Sequence, residues 1–354
     1  MANNSVINSG KITKVRENNY DLLRIISTFA VILIHVNAFF IYRAADHSSV
    51  LYWVESAINI VTRFSVPCFV MLSGAFLLSN PKNKDYKTFY KKSFTKIFLP
   101  FIAVSVLLFP FAEINQLKMG GSLLAPIINI VTGNGYYNLW FMFMLFGLYI
   151  FVPIIIRVKE SISNKSYCVV AVIWLLFAIL NQLTTIYSMS YAFGVVFSYM
   201  GYFIIGNVIH ENISGKKNPV LFLALSMICF SITFAYRFFY KVGEIAYDPF
   251  SSFFSPFIVL ASLLIVIAFG NIKINRCFAK LSSRTFYIYM FHTIIFKSLL
   301  SLIGDKIKLN PIVTILLVTV VTFIFAWLVS IAFMKIWKVC DRKIKRIFDK
   351  TIFK

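Results

Sequence analysis

YDLLRIISTFAVILIHVNAFFIY (residues 20–42) is the stretch on which the reading of the whole chain turns. It is apolar for about 20 residues, the length a helix needs to cross the hydrocarbon of a bilayer. The run is continuous rather than alternating, which predicts a helix and not a barrel strand. Three ionisable residues, Asp21, Arg24 and His35, nevertheless sit inside it.

Similar runs follow at 49–79, 94–112, 137–156, 167–185, 191–209, 219–240, 252–270, 284–303 and 311–337. The fold class read from them is all-α, a polytopic membrane bundle of about ten transmembrane helices. The run 49–79 is too long for one perpendicular span and is expected to tilt or to break near Pro67. The moderately apolar 121–132 is expected as a short interfacial or re-entrant helix. The composition agrees: 59% of the 354 residues are hydrophobic, 14% are charged and 39 are Phe. A soluble domain is about 45–50% apolar and about 25% charged, so a soluble enzyme is excluded. A disordered chain is excluded by the same richness in apolar and aromatic residues. The opening segment, MANNSVINSGKITKVRENNY, lacks the apolar core and cleavage site of a signal peptide, so the first span is expected to be retained.

The net charge of +22 suggests nucleic acid until the cations are sorted by loop. With the N-terminus placed in the cytoplasm, only Arg43, Lys118, Arg237, Lys241, Lys306 and Lys308 fall outside. Arg24, Arg63 and Lys297 fall within spans, and all the others of the 35 Lys and Arg fall inside. That is the positive-inside bias, with both termini cytoplasmic. Most of the excess is then topology and attraction to anionic membrane lipid, and no nucleic-acid partner is expected. The chain divides into a cytoplasmic N-terminal segment 1–19, a membrane domain 20–337 and a basic cytoplasmic tail 338–354.

Ionisable groups inside spans are costly and mark function. They are Asp21, Arg24, His35, Glu55, Arg63, Glu113, His292 and Lys297. Arg24 and His35, eleven residues apart, lie on nearly one helix face with a rise of about 16 Å between them. A fixed cation low on the helix and a titratable base high on it suit an anionic ligand whose reactive end approaches the imidazole. The plain alternative is a snorkelling arginine and a histidine that only bonds across the bundle. His292 repeats the pattern above Arg284. Glu55 and Arg63, eight residues apart, are expected either to neutralise each other or to meet the ligand. Six lysines lie within 82–96, with Lys91 and Lys92 abutting the third span; basic groups at a cavity mouth suit phosphates, and topology alone also explains them. No P-loop, dinucleotide fingerprint, HExxH or GxSxG occurs. No cysteine pair has metal-ligand spacing, and no metal is expected.

Five blocks in order resemble the acyltransferase-3 family of bacterial multi-pass membrane acyltransferases. They are YDLLRIISTFAVILIHV (20–36), RFSVPCFVMLSGAFLL (63–78), FYKKSFTKIFLPF (89–101), YYNLWFMFMLFGLYIFVPII (136–155) and LSSRTFYIYMFHTIIF (281–296). The blocks are most similar to those of stand-alone surface-polysaccharide O-acetyltransferases. The C-terminal esterase-like domain of many members is not expected here, and an acidic pair that one branch carries after Leu-Trp is replaced by the apolar LWFMF.

The resemblance implies transfer of an acyl group, usually acetyl, from cytoplasmic acyl-CoA to a hydroxyl of a surface polysaccharide or lipid-linked saccharide, in the bacterial plasma (inner) membrane. It carries the family's functional Arg and His onto Arg24 and His35, the expected catalytic residues. No permanently bound cofactor is expected; acetyl-CoA is a donor substrate, its phosphates held by Arg24, Arg63, Lys91, Lys92 and Arg284. His35 is either general base or transient acyl carrier. Asp21 is expected to fix Arg24 and Glu55 to orient His35, with Ser73, Trp140, Tyr289 and His292 lining the cavity. A saccharide transporter without acyl chemistry, and a relative that transfers succinyl, remain alternatives at this point.

Overall fold

The computed structural model describes residues 5–8, 11–14, 17–41, 48–118, 140–184, 191–213, 215, 217–240, 250, 252–303 and 310–351. The expected re-entrant segment 121–132, the loop cations Arg43, Lys241, Lys306 and Lys308, and the side chain of Glu113 lie outside the described residues. A two-stranded antiparallel hairpin, β1 (Ser5–Asn8) and β2 (Lys11–Lys14), pairs Ser5 with Lys14. The rest of the described chain is a helical bundle.

Its helices are α1 (Asn18–Ile41), α2 (Val50–Thr62), α3 (Ser65–Leu78), α4 (Tyr86–Ser93), α5 (Leu99–Lys118), α6 (Trp140–Ser161) and α7 (Asn164–Thr184). Then come α8 (Tyr191–Asn212), α9 (Pro219–Phe239), α10 (Pro256–Asn271), the single turn α11 (Ala279–Ser282), α12 (Thr285–Ile303) and α13 (Pro311–Thr351). Local chemistry sets several starts. Proline, whose missing N–H is no loss in a first turn, opens α9, α10 and α13. The side chains of Ser49, Asp85 and Asn218 accept main-chain hydrogen bonds at the starts of α2, α4 and α9.

Seven described stretches are long and apolar enough to cross a membrane: Asn18–Ile41, Val50–Leu78, Trp140–Ser161, Asn164–Leu183, Pro219–Phe239, Thr285–Leu302 and Pro311–Cys340. Helices also cover the expected runs at 94–112, 191–209 and 252–270, the last as the shorter apolar Pro256–Asn271. Large apolar side chains on their outer faces, such as Ile173, Phe177, Val220, Met227, Leu316 and Phe325, are exposed. In water such a surface would aggregate; against lipid tails it is matched.

Two details refine the expected segments. The long run 49–79 breaks at Arg63-Phe64, between α2 and α3. Pro67 has no N–H for the carbonyl of Arg63 four residues earlier, and its ring crowds that carbonyl. The last helix does not stop at 337 but continues to Thr351. The charges that end its hydropathy do not end its helicity, because 338–351 holds neither Gly nor Pro.

α1 packs against α2, α3, α10, α11, α12 and α13 and so runs through the centre of the bundle. Beside it α3 and α8 touch backbone to backbone. A Cβ on Gly74 would fall 1.8 Å from the Phe203 carbonyl oxygen, and one on Gly206 would fall 2.1 Å from that of Met71. Small residues permit this approach where no aqueous hydrophobic effect drives helices together. The end at which α1 begins and α3 ends carries the lysines of 82–96 and is the basic end. The end at which α1 finishes and α2 starts is the far end.

Candidate functional site

At the basic end, Asp21 and Arg24 are one turn apart on α1. Arg24 Nη1 donates to Asp21 Oδ1 at 3.2 Å, and Ser282 Oγ of α11 donates to the same oxygen at 2.6 Å. Arg24 Nη1 also reaches Ser282 Oγ at 3.4 Å, and its guanidinium lies 5.1 Å from the centre of the Phe76 ring of α3. The Asp21 side chain is 4% exposed and that of Arg24 27%, so the carboxylate is sealed in while the cation faces an opening. The expected pairing of Asp21 with Arg24 is thus present, and Ser282 completes it. Arg284 is half-buried just beyond Ser282. Tyr149 of α6 lies within electrostatic reach of Arg24. It packs on Phe89 of α4, ring centres 6.1 Å apart. Lys91, half-buried, and Lys92, exposed, follow on that helix.

Next to this pair is a polar cluster that sequence reading missed. His210 Nε2 meets both carboxylate oxygens of Glu17 at 3.1 Å, and Nδ1 meets Ser79 Oγ at 3.3 Å. Ser79 Oγ donates to Glu211 Oε1 at 3.0 Å and accepts from Asn207 Nδ2 at 2.8 Å. Ser79 thus stands at the centre of the cluster, in contact with His210, Glu211 and Asn207. Phe76 ties the cluster to Arg24: its ring centre is 5.6 Å from that of His210. Glu211 lies beyond the apolar run of its helix. Burial alone would raise its carboxyl, but the hydrogen bond and charge of Lys159 (Nζ to Oε1, 2.6 Å), with Ser79 and Asn207, outweigh burial and hold it below the ordinary value.

Deeper in the bundle the rings of His35 and His292 are 5.4 Å apart, centre to centre, at 37°. His292 is fully buried. Its Nδ1 donates to the Tyr289 carbonyl, and its Nε2 is 3.3 Å from Thr293 Oγ1. His35 is half-buried and faces α12. From His292 a continuous aromatic wall leads outward: Tyr289 at 5.4 Å, Phe141 at 5.2 Å from Tyr289, Trp140 beside Phe141, and Phe253 at 6.3 Å from Trp140. The Arg63 guanidinium lies 5.5 Å from the centre of the Phe253 ring. His35, His292, Tyr289, Trp140 and Arg63 are therefore brought together along one wall.

Other expectations fail. Glu55 and Arg63 do not neutralise each other: Arg63 Nη2 and Nε donate to Asn59 Oδ1 at 2.9 and 3.2 Å. Eight residues of helix rise about 12 Å, whereas Asn59 is one turn away. Glu55 makes no hydrogen bond to His35 among the described residues, and its Oε2 is buried without a partner. Ser73 Oγ turns back to the Phe69 carbonyl at 2.8 Å; its neighbour Gly74, not Ser73, makes the close helix contact. His210 went unnoticed because it ends a span, where polar residues are ordinary, although the chain has only four histidines. Phe76, Tyr149, Phe141 and Phe253 carried no signal beyond hydrophobicity.

An imidazole in line on one helix with a partly exposed arginine places a group suited to proton transfer above a fixed cation. A family model described as "Acyltransferase domain" (Acyl_transf_3) matches residues 17–331. The chain belongs to the acyltransferase-3 family. It is a multi-pass membrane acyltransferase, and the match spans Arg24, His35, Arg63, His210 and His292 alike. Comparison of this acyltransferase-3 protein with curated proteins and with solved structures returns no match.

Proposed function

We propose that the protein moves an acetyl group from acetyl-CoA, bound at the basic end, to a hydroxyl of a surface polysaccharide or lipid-linked saccharide that enters from the far end. The basic end faces the cytoplasm on the positive-inside argument, and the membrane is the bacterial plasma membrane. The observation that carries the reading is the alignment on α1 of a half-open Arg24 at the basic mouth with a half-buried His35 against His292. Arg24, Lys91, Lys92 and Arg284 hold the coenzyme phosphates, and the pantetheine arm covers the rise of about 16 Å to His35. His35 takes the proton of the acceptor hydroxyl. The oxygen attacks the thioester carbonyl carbon, the carbon–sulfur bond breaks, and the imidazolium returns the proton to the departing thiolate. Acetyl ends on the sugar and free CoA leaves. Proximity of donor and acceptor at one base favours this direct route over an acyl-histidine.

Labelled acetyl-CoA given to inside-exposed membranes, with glycan recovered for mass spectrometry, tests the proposal. Label should appear on glycan. His35→Ala should lower the rate about 10²–10⁴-fold at unchanged membrane abundance, and retained activity would remove His35 from the chemistry. Saccharide movement without label transfer would mean a transporter. Replacing Lys91 and Lys92 together by Ala should raise the KM for acetyl-CoA; an unchanged KM would exclude both from the donor site.

A further inference from the structure

One face of α2 carries Tyr52, Glu55, Asn59 and Arg63 at successive helical turns. Polar groups inside a span are retained at a cost, and these turn away from lipid: Tyr52, Glu55 and Asn59 are 3%, 2% and 5% exposed. The stripe starts at the far end, where Tyr52 Oη accepts from Arg237 Nη2 at 3.1 Å. It finishes at mid-depth, where Arg63 is held by Asn59 and lies over Phe253. There it joins the aromatic wall that leads to His35. Between these ends, three buried oxygens have no hydrogen-bond partner: Glu55 Oε2, Asn37 Oδ1 and Ser56 Oγ. Asn37 is in place beside Glu55, since its Nδ2 donates to the Glu55 carbonyl at 2.9 Å.

Buried polar atoms are normally paired, and an unpaired group asks for a partner from outside the chain. Two of these three oxygens, a carboxylate and an amide oxygen, accept hydrogen bonds, and the third, a hydroxyl, can accept or donate. The missing partner therefore brings O–H or N–H groups. A carboxylate in the middle of the stripe repels phosphates and so disfavours the coenzyme. Aromatic faces stand at both ends, Trp53 with Phe238 at 4.9 Å near Tyr52, and Trp140 with Phe253 near Arg63; they suit the apolar faces of sugar rings. We propose that the Tyr52–Glu55–Asn59–Arg63 face of α2, with Asn37, is the acceptor subsite, and that it takes a hydroxyl-rich saccharide from the far end and hands one hydroxyl to His35. Arg63, expected from sequence to hold the donor, belongs to the acceptor on this view. The inference rests on the acyl-transfer reading for its last step, but not for saccharide binding itself.

The test uses full-length protein in lipid nanodiscs and a fluorescently labelled glycan extract of the producing cells. Glu55→Gln, which keeps shape, should weaken glycan binding at least tenfold and raise the KM for glycan by a similar factor, with the KM for acetyl-CoA moving less than twofold. Ser56→Ala, a smaller change that guards against misfolding, should weaken glycan binding about threefold. Equal binding by wild type and Glu55→Gln, or no glycan binding by wild type, overturns the subsite. Glycan binding that depends on Glu55 without any acetyl transfer upholds the subsite and overturns the acyl-transfer reading.

Discussion

The two polar regions of this bundle are satisfied to different degrees. At the basic end Asp21, Arg24 and Ser282 bond to one another, and Ser79, His210, Glu17, Asn207, Glu211 and Lys159 form a second connected set beside them, in which only Asn207 Oδ1 is buried without a partner. Toward the far end Glu55, Asn37 and Ser56 keep unpaired buried oxygens, and His35 is half-buried. A connected network fixes where its members stand. Groups left unpaired are costly while empty and useful once a ligand supplies the partner. The first region is built to hold helix ends and one cation in place, the second to receive something.

The sharpest way to break this contrast is to compare activity with stability at each end. His35→Ala should remove most transfer and lower the melting temperature only modestly, because the ring is half-buried rather than sealed in the core. Asp21→Asn should do the reverse in kind. Loss of the sealed partner of Arg24 should cost about 2 kcal/mol, less than a fully buried pair because the guanidinium is partly solvated. It should also raise the KM for acetyl-CoA. A smaller effect of opposite sign is expected from Glu55→Met, which exchanges an unpaired buried carboxyl for packing: about 1 kcal/mol of added stability, with glycan use lost. A thermal shift that fell for Glu55→Met would mean that the far region is also satisfied, and the contrast would fail.

The smallest effect is on pH. Because Glu211 is held below its ordinary value of 4.5, its contribution to stability is present above that pH and is lost as pH falls through the lowered folded value. The melting-temperature difference between wild type and Glu211→Gln should therefore shrink on acidification below about pH 4.5. A difference that stays constant would remove the Lys159–Glu211 contact from the stabilising set.

Much of the architecture was legible because lipid imposes it. Apolar length marked the spans, the position of Pro67 marked the broken one, and spacing alone put Arg24 and His35 on one face. What stayed hidden was whatever depends on contacts distant in sequence. Glu17 and His210 are 193 residues apart and meet only when the segment before α1 reaches the end of α8. Asn59 looked like an ordinary polar residue until Arg63 turned to it rather than to Glu55. The extension of α13 was invisible to hydropathy, which responds to charge, whereas helicity here depends on the absence of breakers.

The break between α2 and α3 has an electrical consequence. An uninterrupted span would place the partial charges of its peptide dipoles only at the two membrane surfaces. Cutting it at Arg63-Phe64 creates a second pair of helix ends at mid-depth: the last carbonyls of α2, worth about half a negative charge, and the first amides of α3, worth about half a positive one. Arg63 caps the negative end. Its charge is thereby partly met by main chain and by the neutral Asn59. A single missing N–H at Pro67 thus gives an arginine deep in the bundle a main-chain partial charge to sit beside, as well as Asn59.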